Sequence, residues 1–120
     1  MNSLPVIPTL SIDMKKNRIR IHRNTLHLLG SPKYIQLLVN PTKELIVVMP
    51  GRKDDPLAHP VKEHQITDNN CFELSSKKLI NSLRQVNGMF KEQNLYKLCG
   101  HYFEKQNVAQ FYMHDIERGS

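Results

Sequence analysis

Cysteine is scarce in this chain, with only Cys71 and Cys99 among 120 residues. Two cysteines so far apart give neither a metal-ligand spacing nor a disulfide framework. Both sit in apolar runs, NNCFEL and YKLCGHY, where a reduced cysteine serves as a small buried hydrophobe. Long apolar runs are missing too, since none approaches the roughly 18 residues that span a bilayer. The opening MNSLPVIPTL lacks the basic segment and apolar core of a secretory leader. These absences lead to the expectation of an intracellular, cytoplasmic protein with no membrane partner. Catalytic signatures are also lacking. There is no glycine-rich phosphate loop, no nucleophile elbow and no repeated carboxylate pair, so the chain is read as a non-enzyme without a cofactor.

Acidic residues are few, at 11 against 17 lysines and arginines, which leaves a formal net charge of +6. Such a surplus favours an anionic partner: nucleic acid, a nucleotide or an acidic protein. Hydrophobic residues at 39% still suffice for a core, and 23% charged residues exclude global disorder. A length of 120 residues suits one compact domain.

What is present is a pattern that runs twice. In TLSIDMKKNRIRI, apolar residues alternate with polar ones on both sides of the break KKN, which predicts a hairpin with one buried face. Asn24 suits a helix cap, Leu26 and Leu29 fall at helical spacing, and Gly30 suits the position after a helix end. YIQLLVNPTKELIVVM then predicts a second hairpin around NPTK. Its ELIVVM arm is apolar on both faces, which implies a second layer or a partner chain, so a homo-oligomer is expected.

PGRKDDPLAHP breaks every periodicity and marks a linker loop at 50–60. Beyond it, VKEHQITDNNCFEL predicts a hairpin around DNN. Ser75 or Ser76 can cap a helix with Leu79, Ile80, Leu83 and Val86 on one face, ending near Asn87–Gly88. LYKLCGHYFEKQNVAQFYM closes with two strands around EKQN. The fold class is therefore mainly β with short helices (α+β). Two similar hairpin–helix–hairpin halves, at 1–49 and 61–116, pack around one core.

The order of the first half resembles the AbrB-type swapped-hairpin family over about residues 9–49. NRIRIH stands where that family has its Gly-Arg strand, LLG where a short helix ends in Leu-Gly, and IQLLVNPTKELIVV where it has the closing hairpin. The resemblance implies interleaved hairpins, and DNA binding through basic residues on an outer hairpin face. Arg18 falls on a family-typical basic position. His22 replaces the family's proline, and Leu26 and His27 stand where DNA-binding members often carry arginine.

The candidate site is the basic row Lys15, Lys16, Arg18, Arg20, His22 and Arg23. With Ile19 and Ile21 facing inward, Arg18, Arg20 and His22 point outward together beside the lysines of the turn. Such a row can track phosphates, arginine by bidentate contacts and lysine as a point charge. Arg52 and Lys53 in the central loop form a second basic group, offset by Asp54 and Asp55. Six histidines are dispersed, and His59 with His64 lacks the spacing of a helical zinc pair, so no metal site is expected. Late aromatics, at Tyr102, Phe103, Phe111 and Tyr112, are expected to face one another across a hairpin.

The sequence thus leads to a small nucleic-acid-binding protein, a DNA-binding transcription regulator such as a mobile element carries. The alternative is a mobile-element inhibitor that meets an acidic protein or sequesters a nucleotide through the same face.

Overall fold

In the computed structural model, the described residues are 6–66, 70–85, 95–113 and, as backbone, 117–118. The first hairpin is β1 (Thr9–Asp13) with β2 (Arg18–His22), followed by α1 (Arg23–Leu28). The second is β3 (Tyr34–Asn40) with β4 (Leu45–Pro50). After the central loop come β5 (His59–Pro60), a single 3-10 turn (Glu63–Gln65), β6 (Cys71–Ser75) and α2 (Lys77–Arg84). The chain closes with β7 (Leu95–Phe103), β8 (Val108–Tyr112) and β9 (Glu117–Arg118).

The strands form one curled antiparallel sheet in the order β5-β3-β4-β8-β7-β1-β2-β6, with β9 alongside β7. Ile66 makes an isolated bridge to Phe72 in β6. The segment that continues from one edge strand thereby meets the other edge. The mainly β architecture with two short helices follows from the alternation in the sequence. Leu10 and Ile12 on β1, Ile19 and Ile21 on β2, and Ile46 and Val48 on β4 all face a common interior. Each such side chain contributes about 1.5–3 kcal/mol relative to exposure.

The two-sided strand β4 resolves into a buried face, Ile46 and Val48, and a half-buried outer face, Leu45, Val47 and Met49. Among the described residues, no helix is long and apolar enough to cross a membrane.

The residue before each of β2, β4, β6 and β8 is left-handed: Asn17, Glu44, Asn70 and Asn107, with φ of 53°, 52°, 58° and 53°. Three of the four are asparagine, which tolerates this region through its short polar side chain. Two hairpin turns are dressed alike, since Asp13 accepts from Lys16 N and Asn40 from Lys43 N, each at 3.1 Å.

These markers set the register. Arg20 and Glu73 lie three residues after Asn17 and Asn70, and they face each other where β2 pairs with β6. Val47 and Gln110 lie three residues after Glu44 and Asn107, and they face each other where β4 pairs with β8. Each of these two strand pairs thus joins strands that both begin after a left-handed residue.

Several details depart from the sequence reading. β2 runs on to His22, which stays extended and caps α1 with its own ring, Nδ1 accepting from Asn24 N at 3.1 Å. Asn24 is thus inside the helix, past where its type placed it. Ser76 caps α2 by accepting from Leu79 N at 3.2 Å, and Gly30 follows α1 with φ of 89°. The linker ends in β5, where His59 and Pro60 pair with Ile35 and Tyr34. The expected turn around Asp68–Asn69 and the expected end of α2 near Asn87–Gly88 lie outside the described residues.

The late aromatics miss one another by register. Phe111 faces Gly100, Tyr102 faces Ala109 and Phe103 faces Val108. His101 makes a ring contact with Tyr112, centroids 6.2 Å apart. Cys99 is exposed on the outer face of β7 and is no part of the core, because strand alternation gives the inward positions to Leu98 and Gly100.

Candidate nucleic-acid interface

The β2–β6 ribbon and the ends of the two helices make the candidate surface. Its middle is an ion-paired cluster. Arg20 Nε lies 2.8 Å and Arg18 Nη1 3.2 Å from the two carboxylate oxygens of Glu73. The Arg20, Arg18 and Glu73 side chains are 28%, 39% and 22% exposed, so this is a surface cluster, half-shielded by its neighbours. Along β2 the row has no acid, but β6 lays one directly beside it. That neighbour is invisible in the linear sequence.

Next to this cluster, Cys71 faces His22 across the ladder. Burial pushes its thiol pKa up, with Arg20 opposing the shift and Glu73 adding to it. His22 is half-buried and engaged with the start of α1, which gives it a structural task in the row.

Further positive charge collects at the two ends of the ribbon. At one end, Ser76 N donates to Asn17 O at 3.1 Å, which seats the start of α2 on the β1–β2 turn. Exposed Lys15 and Lys16 therefore join Arg18 and exposed Lys77 at one corner. At the other end, Arg23 N donates to Asn70 O at 2.7 Å, the same bond with the halves exchanged. There Arg23 and His27 are exposed on α1, and Lys33 follows just beyond it. The sequence reading left out Lys77 and Lys33, and it noted His27 only as standing where DNA-binding members of the resembled family often carry arginine. The serine cap followed by two lysines was legible, but its arrival beside Lys15 depends on the β2–β6 pairing.

Arg52 and Lys53 are exposed on the central loop, whose later residues Leu57 and His59 line a cleft with Ser76 and Lys78 at the start of α2. Asp55 turns that loop by accepting from Leu57 N at 2.9 Å and from the side-chain amide of Gln36. In that cleft, of about 410 Å³, His59 stands with Leu38, Leu57 and Leu79. Burial holds its pKa below the ordinary histidine value.

Among the described residues, no group of three histidine, cysteine, aspartate or glutamate side chains converges to hold a metal ion.

The geometry is that of a basic ribbon with two basic ends and a middle in which two arginines share one carboxylate. The chain matches no protein-family model, no curated protein and no solved structure.

Proposed function

We propose that this protein binds DNA through the β2–β6 ribbon, as a transcription regulator built on the AbrB-type swapped-hairpin plan. The observation that carries the reading is the corner formed by Lys15, Lys16, Arg18 and Lys77, held together by the Ser76–Asn17 backbone bond. Four cations on adjacent short elements present a charge density suited to a phosphate backbone, with Asp13 and Glu73 as the described acids beside them. Arg23 extends the row at the far end.

The swapped-hairpin part of the reading draws on strand pairing. In a two-fold arrangement of halves, corresponding strands pair across the axis, and corresponding residues meet on it. The pairs Arg20–Glu73 and Val47–Gln110 have that relation. Two halves within one chain would then supply what such families otherwise obtain from two chains, so the sheet needs no second copy to be complete. A DNA surface with two related ends would suit a two-fold-related target.

The test is binding to duplex DNA, single-stranded DNA and RNA at about 50 and about 200 mM salt, where phosphate contacts show as a steep loss of affinity. Duplex DNA is expected to bind best. The Lys15→Ala, Lys16→Ala double variant should lower the logarithmic salt slope by about 2, at roughly 0.9 per phosphate neutralised. Absent or salt-insensitive binding to all three polymers would remove the proposal.

A further inference from the structure

A second feature lies at the Arg23 end of the ribbon. Between α1 and residues 61–66 the surface opens into a cleft of about 220 Å³. Arg23, His27 and Lys33 stand on its lining together with Leu26, Val61 and Ile66. Leu26 is 4% exposed, so the floor is core, whereas Arg23, His27 and Lys33 are exposed. The cleft is fixed by backbone bonds on both sides. Val61 N donates to Lys33 O at 2.8 Å, and Ser31 N to Leu26 O at 2.8 Å where the chain leaves α1. Among the described residues, no carboxylate lines it. A second hollow along α1 shares Arg23 and His27 and adds Asn24 and Asn70.

We propose that this cleft is a nucleotide site, in which Arg23, His27 and Lys33 hold a phosphate and the Leu26–Val61–Ile66 floor takes the base. The proposal deepens the nucleic-acid reading above and rests on it. A cluster of cations alone would suit any anion. The apolar floor beside it selects an anion that carries a flat, weakly polar group. The volume decides the size, since it falls short of the roughly 300 Å³ at which pockets for drug-sized ligands begin. One nucleotide unit, partly open to solvent, fits that limit better than a dinucleotide. Arginine supplies a planar pair of donors to phosphate oxygens, while lysine acts as a point charge. The unit is either free or part of a strand, and the chemistry of recognition is common to both.

The experiment is a titration of the labelled protein, followed by amide NMR, with adenosine 5′-monophosphate, adenosine, inorganic phosphate and a short single-stranded oligonucleotide. The monophosphate is expected to shift the amides of Arg23, Leu26, His27, Lys33, Val61 and Ile66, and to bind about tenfold more tightly than adenosine or phosphate alone. The Arg23→Ala, Lys33→Ala double variant should lose about tenfold in affinity for it. Both side chains are exposed, so the variant keeps its core, which its unshifted Ile12 and Ile46 amides would verify.

A stronger response to the oligonucleotide at the same amides makes the ligand a strand, and a response to the monophosphate alone makes it a free nucleotide. Either supports the site. Shifts elsewhere, no shifts, or phosphate binding as tightly as the monophosphate overturns it. Duplex binding measured in parallel separates the two readings. A silent cleft with salt-sensitive duplex binding removes only this site, and a cleft that responds to the monophosphate while none of the three polymers binds removes only the wider proposal.

Discussion

Arg20 and Glu73 stand directly opposite each other on β2 and β6, with Nε and Oε2 2.8 Å apart. They also occupy corresponding places in the two halves, each three residues after a left-handed asparagine. A position that would repeat the same charge in two identical halves carries opposite charges here. Like charges directly opposite would repel across the ladder. The opposite signs thus suit a sheet whose two halves share one chain.

Replacing Glu73 releases both arginines. For partly exposed pairs the loss of stability is expected to be about 0.5–1 kcal/mol. Affinity for duplex DNA should rise in Glu73→Gln, and its logarithmic salt slope should steepen as Arg18 and Arg20 become available to phosphates. Thermal unfolding and salt-dependent binding on the same variant check both halves of this expectation. A variant that binds DNA less tightly would count against the ribbon as the contact surface.

Thr25 fastens the short helix to the sheet. It is fully buried, accepts from Thr9 N at 3.1 Å and lies 3.4 Å from Thr9 O. A helix of six residues has no stability alone. Thr25→Val keeps the shape but leaves the Thr9 amide unpartnered, at a cost of about 1–3 kcal/mol. Thr25→Ser keeps the hydroxyl and should recover most of it. Urea denaturation of the three proteins gives the comparison.

Of the described glycines, Gly100 has the closest neighbours. An added Cβ would lie 2.3 Å from Gln110 O and 2.7 Å from the Phe111 ring. The nearest atom is backbone, so β7 and β8 would have to part. Gly100→Ala is expected to destabilise by about 3 kcal/mol, at the upper end of core overpacking. The companion Gly100→Ala, Phe111→Leu would relieve the ring but not the carbonyl. It should therefore recover only part of the loss in a denaturant titration.

These residues show what was legible in the sequence and what was not. Alternation of period two marked the first hairpin with its inward set Leu10, Ile12, Ile19 and Ile21, the strand β3, and the β7–β8 pair. Ser76 and Gly30 were legible because capping is local chemistry. Glu73, Lys77 and Lys33 were not, since each joins the basic surface only through pairings across the two halves. The partners of Phe111 depended on register, which the strand pattern leaves open by steps of two. Cys99 was misread because apolar neighbours in sequence lie on alternate faces of a strand.

His59 makes stability depend on pH. Burial lowers its pKa in the folded protein below the ordinary value of 6.5. Between those two values the unfolded chain binds more protons than the folded one, so stability rises with pH through that window. On acidification below 6.5 the contribution is lost, as the unfolded state takes up its proton first. His59→Gln should flatten the pH profile of the melting temperature in that window. An unchanged profile would assign the effect to other groups.

Exchanging the two charges that face each other on the ribbon tests whether their positions are equivalent. Arg20→Glu alone sets two carboxylates opposite each other, and Glu73→Arg alone sets two guanidinium groups there. Arg20→Glu loses one attraction and adds one repulsion, whereas Glu73→Arg loses its pairs with both Arg18 and Arg20 and adds a repulsion to each, at about 1 kcal/mol for each partly exposed pair. Because the two positions correspond across the halves, Arg20→Glu combined with Glu73→Arg places the same pair in the same backbone setting with its direction reversed. The double variant should therefore regain most of the stability, with a coupling energy of about 0.5–1 kcal/mol or more in a double-mutant cycle. Arg18 makes the return incomplete, since its own bond to Glu73 has no counterpart once the carboxylate moves to position 20. A cycle that is additive within error would mean that the two sites, though opposite in register, differ in their surroundings.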